Sequence, residues 1–482
     1  MPKTNPMMII AILCLITTLG RFVMDNYLPS LPFISQAIQA PESDIQLTLT
    51  LYILGFGLSQ LVYGPLSDRF GRKKILIGGL ILFLIANTLC SFTQSLSVLL
   101  IARLLSGIGM GVCGVLNRAI ASDCFNGSAF SKAWSYTTTT LVVVLIVAPL
   151  IGSGVQALFG WRANFTVATF FVGIALLIIL WRLPETNHNN KLRSITVKSV
   201  INNYKAILSS RSFVVSTLCY TFVFAGLVAY FQISPFLLMN ELHLTPMQYG
   251  YSSLAIAIGY LSGGLIVSRL AHALGIRLLL IIGILLSITG GALMISLNYD
   301  DPITVWRVLL PTAIYVLGAR IVIPNAMAGA FTGFRHLGGS TSGLIGGIQM
   351  LGTALISSIM INFSYTSPMP LAVLFSILGL GSLMAFCYMY FYKNKFVYKH
   401  FVQLSIGAIK LYHTQPVQIS LNKSIHYYQV SKRKIYRAKQ TQKILKICEP
   451  LIKSMLHHRL DQRLLDVFKK INNIIKNIWI YF

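Results

Sequence analysis

Ionisable side chains are scarce in this sequence, and those that interrupt its long apolar runs are the ones that could do chemistry. Asp25 stands in the first such run with Arg21 four residues before it, so a helix brings both to one face. An acid inside hydrocarbon costs about 3 kcal/mol to insert. It is retained for a reason, and binding and releasing a proton is the most direct one. Pro29 marks the nearer helix end, which places Asp25 roughly 6 Å from it, at a C-terminal position where the helix dipole disfavours a carboxylate. The plain alternative is a helix-end acid wetted by solvent. Arg21 leaves several roles open: a permanent partner that holds Asp25 ionised, a snorkelling base, a substrate contact, or a base that trades partners during a cycle. Arg103 lies about six residues into another apolar run, roughly 9 Å deep and near the depth of Asp25. Its alternative is again a snorkelling arginine.

The densest charge lies at Gly64-Pro65-Leu66-Ser67-Asp68-Arg69-Phe70-Gly71-Arg72-Lys73-Lys74, where five charges fall within seven residues between two apolar runs. Such a knot cannot lie in hydrocarbon, so the expectation is a tight loop at a membrane face joining two spanning helices.

The elements that must position these residues follow from composition. Of 482 residues, 55% are hydrophobic and only 11% charged, which excludes an ordinary soluble domain. About 20 apolar residues of helix cross a bilayer core, and runs of that length recur. Twelve spans are expected at about 7–28, 45–66, 75–94, 97–119, 134–158, 163–183, 212–238, 246–268, 276–297, 303–324, 338–363 and 368–392. The longest polar connector separates them six and six. The fold expected is all-α and integral to the membrane: an N-terminal half over 1–183, a linker over 184–211, a C-terminal half over 212–392, and a basic amphipathic tail over 393–482. No cleavable signal peptide is expected, since the first run is long enough to span and no small-residue cleavage site follows it.

Bases are concentrated in alternate loops. Four lie at 67–74; Lys191, Arg193, Lys198, Lys205 and Arg211 lie in the linker; Arg269 and Arg277 follow the eighth span. The opposite loops carry Glu42, Asp44, Glu241, Asp300 and Asp301, with Arg162 the main exception. By the positive-inside rule both termini are cytoplasmic. A repeat supports two related halves: Gly64-x-x-x-Asp68-Arg69 recurs 200 residues on as Gly264-x-x-x-Ser268-Arg269, without the acid and followed by Gly275 and Arg277.

Several stretches together carry a family resemblance. They are the knot at Gly64–Lys74, Asp25-Asn26-Tyr27-Leu28-Pro29-Ser30-Leu31-Pro32, Gln46 to Gln60, Arg103-Leu104-Leu105-Ser106-Gly107-Ile108-Gly109, and Arg118 to Asp123. The chain resembles the major facilitator superfamily over about residues 7–392, and within it the bicyclomycin-resistance type of drug:proton antiporter. The resemblance implies alternating access between two six-helix halves, in a bacterial-type inner membrane, with efflux of small amphipathic compounds against protons. It assigns proton coupling to Asp25 and Arg103, with Arg21 as a departure from the usual pattern. It makes Gly64, Asp68, Arg69, Gly71 and Arg72 a conformational lock, in which Asp68 pairs with bases or a helix N-terminus of the opposite half. Lys73 and Lys74 are explained by orientation alone. Ala148-Pro149-Leu150-Ile151-Gly152-Ser153-Gly154 resembles the antiporter motif of the drug-exporting branch, with Pro149 and Gly152 allowing a bend and close packing.

Tyr52, Asn117, Tyr220, Phe224, Tyr230, Gln232 and Gln349 are polar or aromatic residues in spans expected near a central pathway, and they sketch a cavity lining for an amphipathic ligand. Singly, each is equally well explained by helix packing. No cofactor is expected beyond a proton gradient, and no metal site, because the seven cysteines lack ligand spacing. No enzymatic constellation is present. Partners expected are the compound, protons and lipid, with the protein a monomer. The tail carries 18 Lys/Arg against 3 Asp/Glu from Lys393 to Phe482. Its helical spacing of apolar residues suits a helix on anionic lipid, while nucleic-acid binding has no recognised fold behind it. The alternatives to efflux are a nutrient importer and a membrane-anchored interaction protein working through this tail.

Overall fold

The computed structural model describes residues 5–125, 127–187, 197–299, 302–334, 338–363 and 366–389. The tail over 393–482, and the expected roles of Lys191, Arg193, Asp300 and Asp301, lie outside the described residues. Within them every regular element is helical, and twelve helices are long and apolar enough to cross a membrane.

The first span differs from expectation in an instructive way. Helix α1 (Pro6–Asp25) is capped by the Asn5 side chain, which accepts from the Met7 amide. A 3-10 turn at Leu28–Ser30 follows, and then helix α2 (Leu31–Ile38). Pro29 therefore redirects the span without ending it, and the apolar segment continues to Ile38. Pro29 and Pro32 sit in the first turns of these short helices, where a missing amide hydrogen breaks no helical bond.

The charged knot also differs: it is not a loop. Helix α3 (Glu42–Phe70) carries the segment through Asp68 and Arg69, and helix α4 (Arg72–Phe92) begins one residue later. Gly71 alone makes the turn, at φ 99°, where a side chain would be strained. The second copy of the repeat does the same. Helix α10 (Pro246–Leu297) contains two spans that meet at Gly275, φ 72°.

Helices α5 (Leu96–Cys124), α6 (Gly127–Phe159) and α7 (Trp161–Arg182) complete the first six spans. The linker contains an amphipathic helix, α8 (Val197–Leu208), that sequence periodicity did not single out. Then come α9 (Arg211–Pro235) with a π turn at Phe236–Glu241, α11 (Val305–Ala330), α12 (Gly338–Met360) and α13 (Met369–Met389). Close approach of backbones builds the interior, as expected where lipid supplies no hydrophobic drive between helices. A side chain on Gly107 of α5 would overlap the Tyr52 backbone of α3. Large apolar side chains such as Phe92, Leu158, Trp181 and Met384 are exposed on the outside, as a lipid-facing belt requires.

Candidate functional site

Asp25 ends α1 and is fully buried. Arg21, one turn earlier, donates from Nε to Asp25 Oδ2 at 2.5 Å. The pairing is partial: Asp25 Oδ1 and Arg21 Nη2 have no hydrogen-bond partner. The Arg21 guanidinium also lies over the Phe231 ring of α9, 5.3 Å from its centroid. One member of this pair therefore touches the second set of six spans.

Arg103 is also fully buried, and its guanidinium lies between two rings, 4.1 Å from the Tyr27 centroid and 4.4 Å from that of Tyr52. None of its three nitrogens has a hydrogen-bond partner. A third ring, that of Phe165, lies 5.8 Å from the guanidinium, so aromatic faces offset its desolvation. Among the described residues no acid pairs with Arg103. Tyr27 brings it beside the residues that follow α1, yet no ion pair joins it to Asp25.

The Pro149–Gly152 stretch of α6 meets the chain just after α1. A Cβ on Gly152 would overlap the Asn26 carbonyl, so the two backbones touch directly. Asn164 of α7 fastens them, donating from Nδ2 to the Gly152 carbonyl at 3.0 Å and to Ser30 Oγ at 2.7 Å. Asn26 donates to the Asn164 carbonyl, and Ser30 donates to Gln156 Oε1. This polar node joins the segment after α1 to α6 and α7 and begins one residue beyond Asp25.

At the basic face, Arg72 is the centre of a network. It pairs with Asp68 at 2.5 Å and Asp123 at 3.0 Å, and donates to Ser67 Oγ at 2.6 Å. The backbone amides of Arg72 and Lys73 donate to Glu185 at 2.8 and 3.2 Å. Glu185 thereby satisfies orphan amides at the α4 N-terminus and sits well in its dipole. Asp123, which closes one of the resembling stretches, and Glu185 are not among the site residues expected from sequence, although each is an acid at the end of a span beside the basic loops. Arg69 takes no part in that network and lies over the Phe70 ring. Across the halves, Asp68 lies at the first turn of α12: a Cβ on Gly339 would be 3.6 Å from its Oδ2. Gly64 also faces Gly339, whose carbonyl would be 3.8 Å from a Gly64 Cβ. Helix α8 adds a tie, with Tyr204 Oη donating to the Leu61 carbonyl at 3.0 Å. Burial, and then the Asp68 charge, push the Tyr204 hydroxyl up to about 12, so it remains a donor.

The seam between α3 and α12 continues to the opposite face. Thr50 and Ser357 hydroxyls lie 2.6 Å apart, Ser357 donates to Gln232 Oε1 at 2.7 Å, and Asn240 donates to Glu42 at 2.5 Å. Gln232 is therefore part of a seam, and Tyr52 part of the Arg103 stack. Tyr230 packs on Phe231 at 5.5 Å. Gln349 is buried on α12. Asn117 donates to Thr17 at 2.7 Å, joining α5 to α1. Tyr220 packs edge-on against Phe224 at 6.0 Å. Arg118 and Arg320 were not selected from sequence as site residues. Each was visible there as a base inside an apolar run. Among the described residues no cluster of His, Cys, Asp and Glu could hold a metal.

Twelve apolar helices with a buried acid–base pair, and a glycine turn repeated at equivalent places, define a membrane transporter. A family model described as Major Facilitator Superfamily matches residues 13–357. The chain belongs to that superfamily. It is 26% identical over 381 residues to Multidrug resistance protein D of Escherichia coli (strain K12), covering 79% of this chain and 95% of the relative. It is 23% identical over 357 residues to a bicyclomycin resistance protein homolog of Haemophilus influenzae, covering 74% and 89%. Among solved structures, the E. coli xylose transporter XylE in a partially occluded inward open conformation aligns with TM-score 0.63 at 15% identity. That alignment covers 80% of this chain and 97% of XylE, and it speaks to the fold alone.

Proposed function

We propose that this protein exports small amphipathic compounds from the cytoplasm in exchange for protons, by rocking its two six-helix halves about a central pathway. The observation that carries the reading is Asp25: a fully buried carboxylate, held through one oxygen by Arg21 and with the other oxygen unpartnered. Such a group can accept a proton without first losing every partner, and its base is then freed to change contacts. Arg103, buried among aromatic rings beside Tyr27 and without an acid partner among the described residues, is the second charge of the coupling device. The resistance proteins among the relatives favour export, and the direct backbone contact at Gly152 is consistent with antiport machinery.

In this reading the basic face is cytoplasmic, with both termini there. The Asp68 contact to α12, held in place by the Arg72 network within its own half, is a cytoplasmic latch, broken when the pathway opens inward. The Thr50–Ser357–Gln232 group serves the opposite side in the same way. The test is transport by the full-length protein and its Asp25→Asn variant in proteoliposomes with an imposed pH gradient. Compound movement that follows the gradient in the wild type and ignores it in the variant supports the coupling role. Gradient-driven transport that survives Asp25→Asn overturns it.

A further inference from the structure

Arg162 is the base that the alternation of loop charge leaves unexplained, since it stands on the acidic side. It occupies the second position of α7 and is exposed. From Nη2 it donates to the carbonyl of Thr93, the residue that caps α4 at the end far from Arg72, at 3.2 Å. Its guanidinium lies over the Trp161 ring, 4.1 Å from the centroid. Among the described residues no salt bridge joins it to an acid. Gly160 caps α7 without a side-chain hydrogen bond, so no capping side chain takes the first-turn amides beside this base. A guanidinium and a helix N-terminus together present donors and positive charge to an anion such as phosphate.

The two helices that Arg162 bridges also leave an open groove of about 370 Å³ between them. Leu84 of α4 and Thr169, Phe170, Gly173, Ile174 and Leu177 of α7 line it. Phe170, Ile174 and Leu177 are exposed, so the groove opens onto the surface that lipid covers. A Cβ at Gly173 would meet nothing within 4 Å, which keeps the groove open where its neighbours along α7 are large. Of the lining residues only Thr169 is polar, and its hydroxyl is engaged. It donates to the Phe165 carbonyl and accepts from Asn87 Nδ2, both at 3.0 Å. The surface that remains suits a hydrocarbon chain and offers a polar guest no partner. Arg162, Thr169 and Gly173 are seven and then four residues apart, so the helix sets them on one face. Arg162 stands roughly 10 Å beyond Thr169 at the rise of an α-helix. A charged end followed by an apolar channel along one helix face is the order of groups in a phospholipid.

We propose that the α4–α7 groove binds one anionic phospholipid from the leaflet opposite the basic face. Arg162 keeps its bond to Thr93 and, with the first turn of α7, holds the phosphate. One acyl chain lies along Leu84, Gly173 and Leu177. The charge selects the headgroup, and the missing side chain at Gly173 seats the chain. The site lies wholly within the first six spans and stands whether or not the export reading does. It adjoins the surroundings of Arg103: Asn87 also donates to the Phe165 carbonyl at 2.8 Å, and the Phe165 ring is the third beside the Arg103 guanidinium, at 5.8 Å. The lipid therefore braces the wall that carries this ring.

The test is quenching of a tryptophan by lipids brominated in their acyl chains, in the full-length protein held in nanodiscs. Mixtures of phosphatidylglycerol and phosphatidylcholine are used, with one lipid brominated and then the other. The five native tryptophans are replaced by phenylalanine. One reporter is then introduced, either Phe170→Trp in the groove or Ile377→Trp on an exposed face of α13. At position 170 phosphatidylglycerol is expected to be preferred by about fivefold, the effect of one base near the membrane surface. At position 377 the two lipids should quench alike. Arg162→Gln, and Gly173→Leu, which fills the groove, should each bring position 170 to the behaviour of position 377. Equal quenching at position 170 overturns the proposal, because the groove then holds ordinary boundary lipid. A preference that survives either substitution overturns it too. So does an absence of quenching by both lipids, since protein, such as a second copy of the chain, then covers the groove. If the tryptophan-free chain fails to stay monodisperse, thermal unfolding of the native chain in micelles decides. Added phosphatidylglycerol should raise the midpoint above that with phosphatidylcholine, and Arg162→Gln should abolish the difference. Equal midpoints in the native chain, or a difference that outlasts Arg162→Gln, contradict the site.

Discussion

Asp68→Asn is the perturbation through which the basic-face latch is most sharply tested. In the structure the Asp68 carboxylate does two things: it pairs with Arg72 within its own half, and it lies at the first turn of α12 in the other half. Only the second contact must be lost when the halves part at this face. An anion at a helix N-terminus contributes about 0.3–1 kcal/mol when exposed and up to about 2 when partly buried. The Asp68 side chain is 25% exposed, which favours the upper half of that range, roughly 1–2 kcal/mol. At 1.4 kcal/mol per tenfold, the open-to-closed ratio at this face should rise by about five- to thirtyfold. The Arg72 pair does not enter the difference to first order, because Asp68 and Arg72 lie one turn apart around Gly71 and move together. The assay is a spin-label distance measurement between α3 and α10 at positions 69 and 270, both on this face, in a background free of native cysteines. Asp68→Asn should increase the longer-distance population by that factor and slow transport while leaving compound affinity largely intact. Gly339→Ala, whose new methyl would meet nothing closer than 3.6 Å, should leave the distribution unchanged. An unchanged distribution in Asp68→Asn, or a loss of binding with no change in distance, refutes the latch.

Two further perturbations follow from packing. Gly152→Ala forces a methyl onto the Asn26 carbonyl, backbone against backbone, and should destabilise the protein by about 1–3 kcal/mol; Gly154→Ala, with nothing within 4 Å, should be tolerated. Thermal unfolding in detergent separates the two, and equal midpoints would contradict the direct contact of α6 with the segment after α1. Ser357→Ala leaves the buried Gln232 carbonyl and the Thr50 hydroxyl without their shared partner, costing about 1–3 kcal/mol in the conformation with that seam closed. Thiol labelling of a cysteine at position 46 from the Glu42 face should rise in consequence, and unaltered labelling would argue against a seam there.

Much of the fold was legible because hydrocarbon is a simple solvent: twelve apolar stretches are visible as runs, and every one has a helical counterpart. What was not legible came from residues whose meaning depends on position within a turn. Pro29 reads as a stop and is a redirection, since its missing amide hydrogen falls where no helical bond is due. The charged knot reads as a loop and is two helices joined at Gly71, since Asp68 pairs with Arg72 and Arg69 stays exposed while both are still helical. Of the candidate site residues, Asp25 and Arg21 fall together by local spacing alone. Arg103 finds aromatic partners that no local rule indicates, and the Arg72 network with Asp123 and Glu185 joins segments more than fifty residues apart.

The central claim, export against protons, is tested most directly by measuring both movements at once. The full-length protein is reconstituted in proteoliposomes with its basic face outward, the lumen is made acid, and a neutral, an anionic and a cationic amphipathic dye are added outside in turn. The account predicts that at least one dye accumulates in the lumen above its external concentration while lumenal protons leave with it, and that both movements stop in Asp25→Asn. Dye accumulation that persists after the pH gradient is abolished with the membrane potential clamped at zero, or that proceeds unchanged in Asp25→Asn, would contradict it.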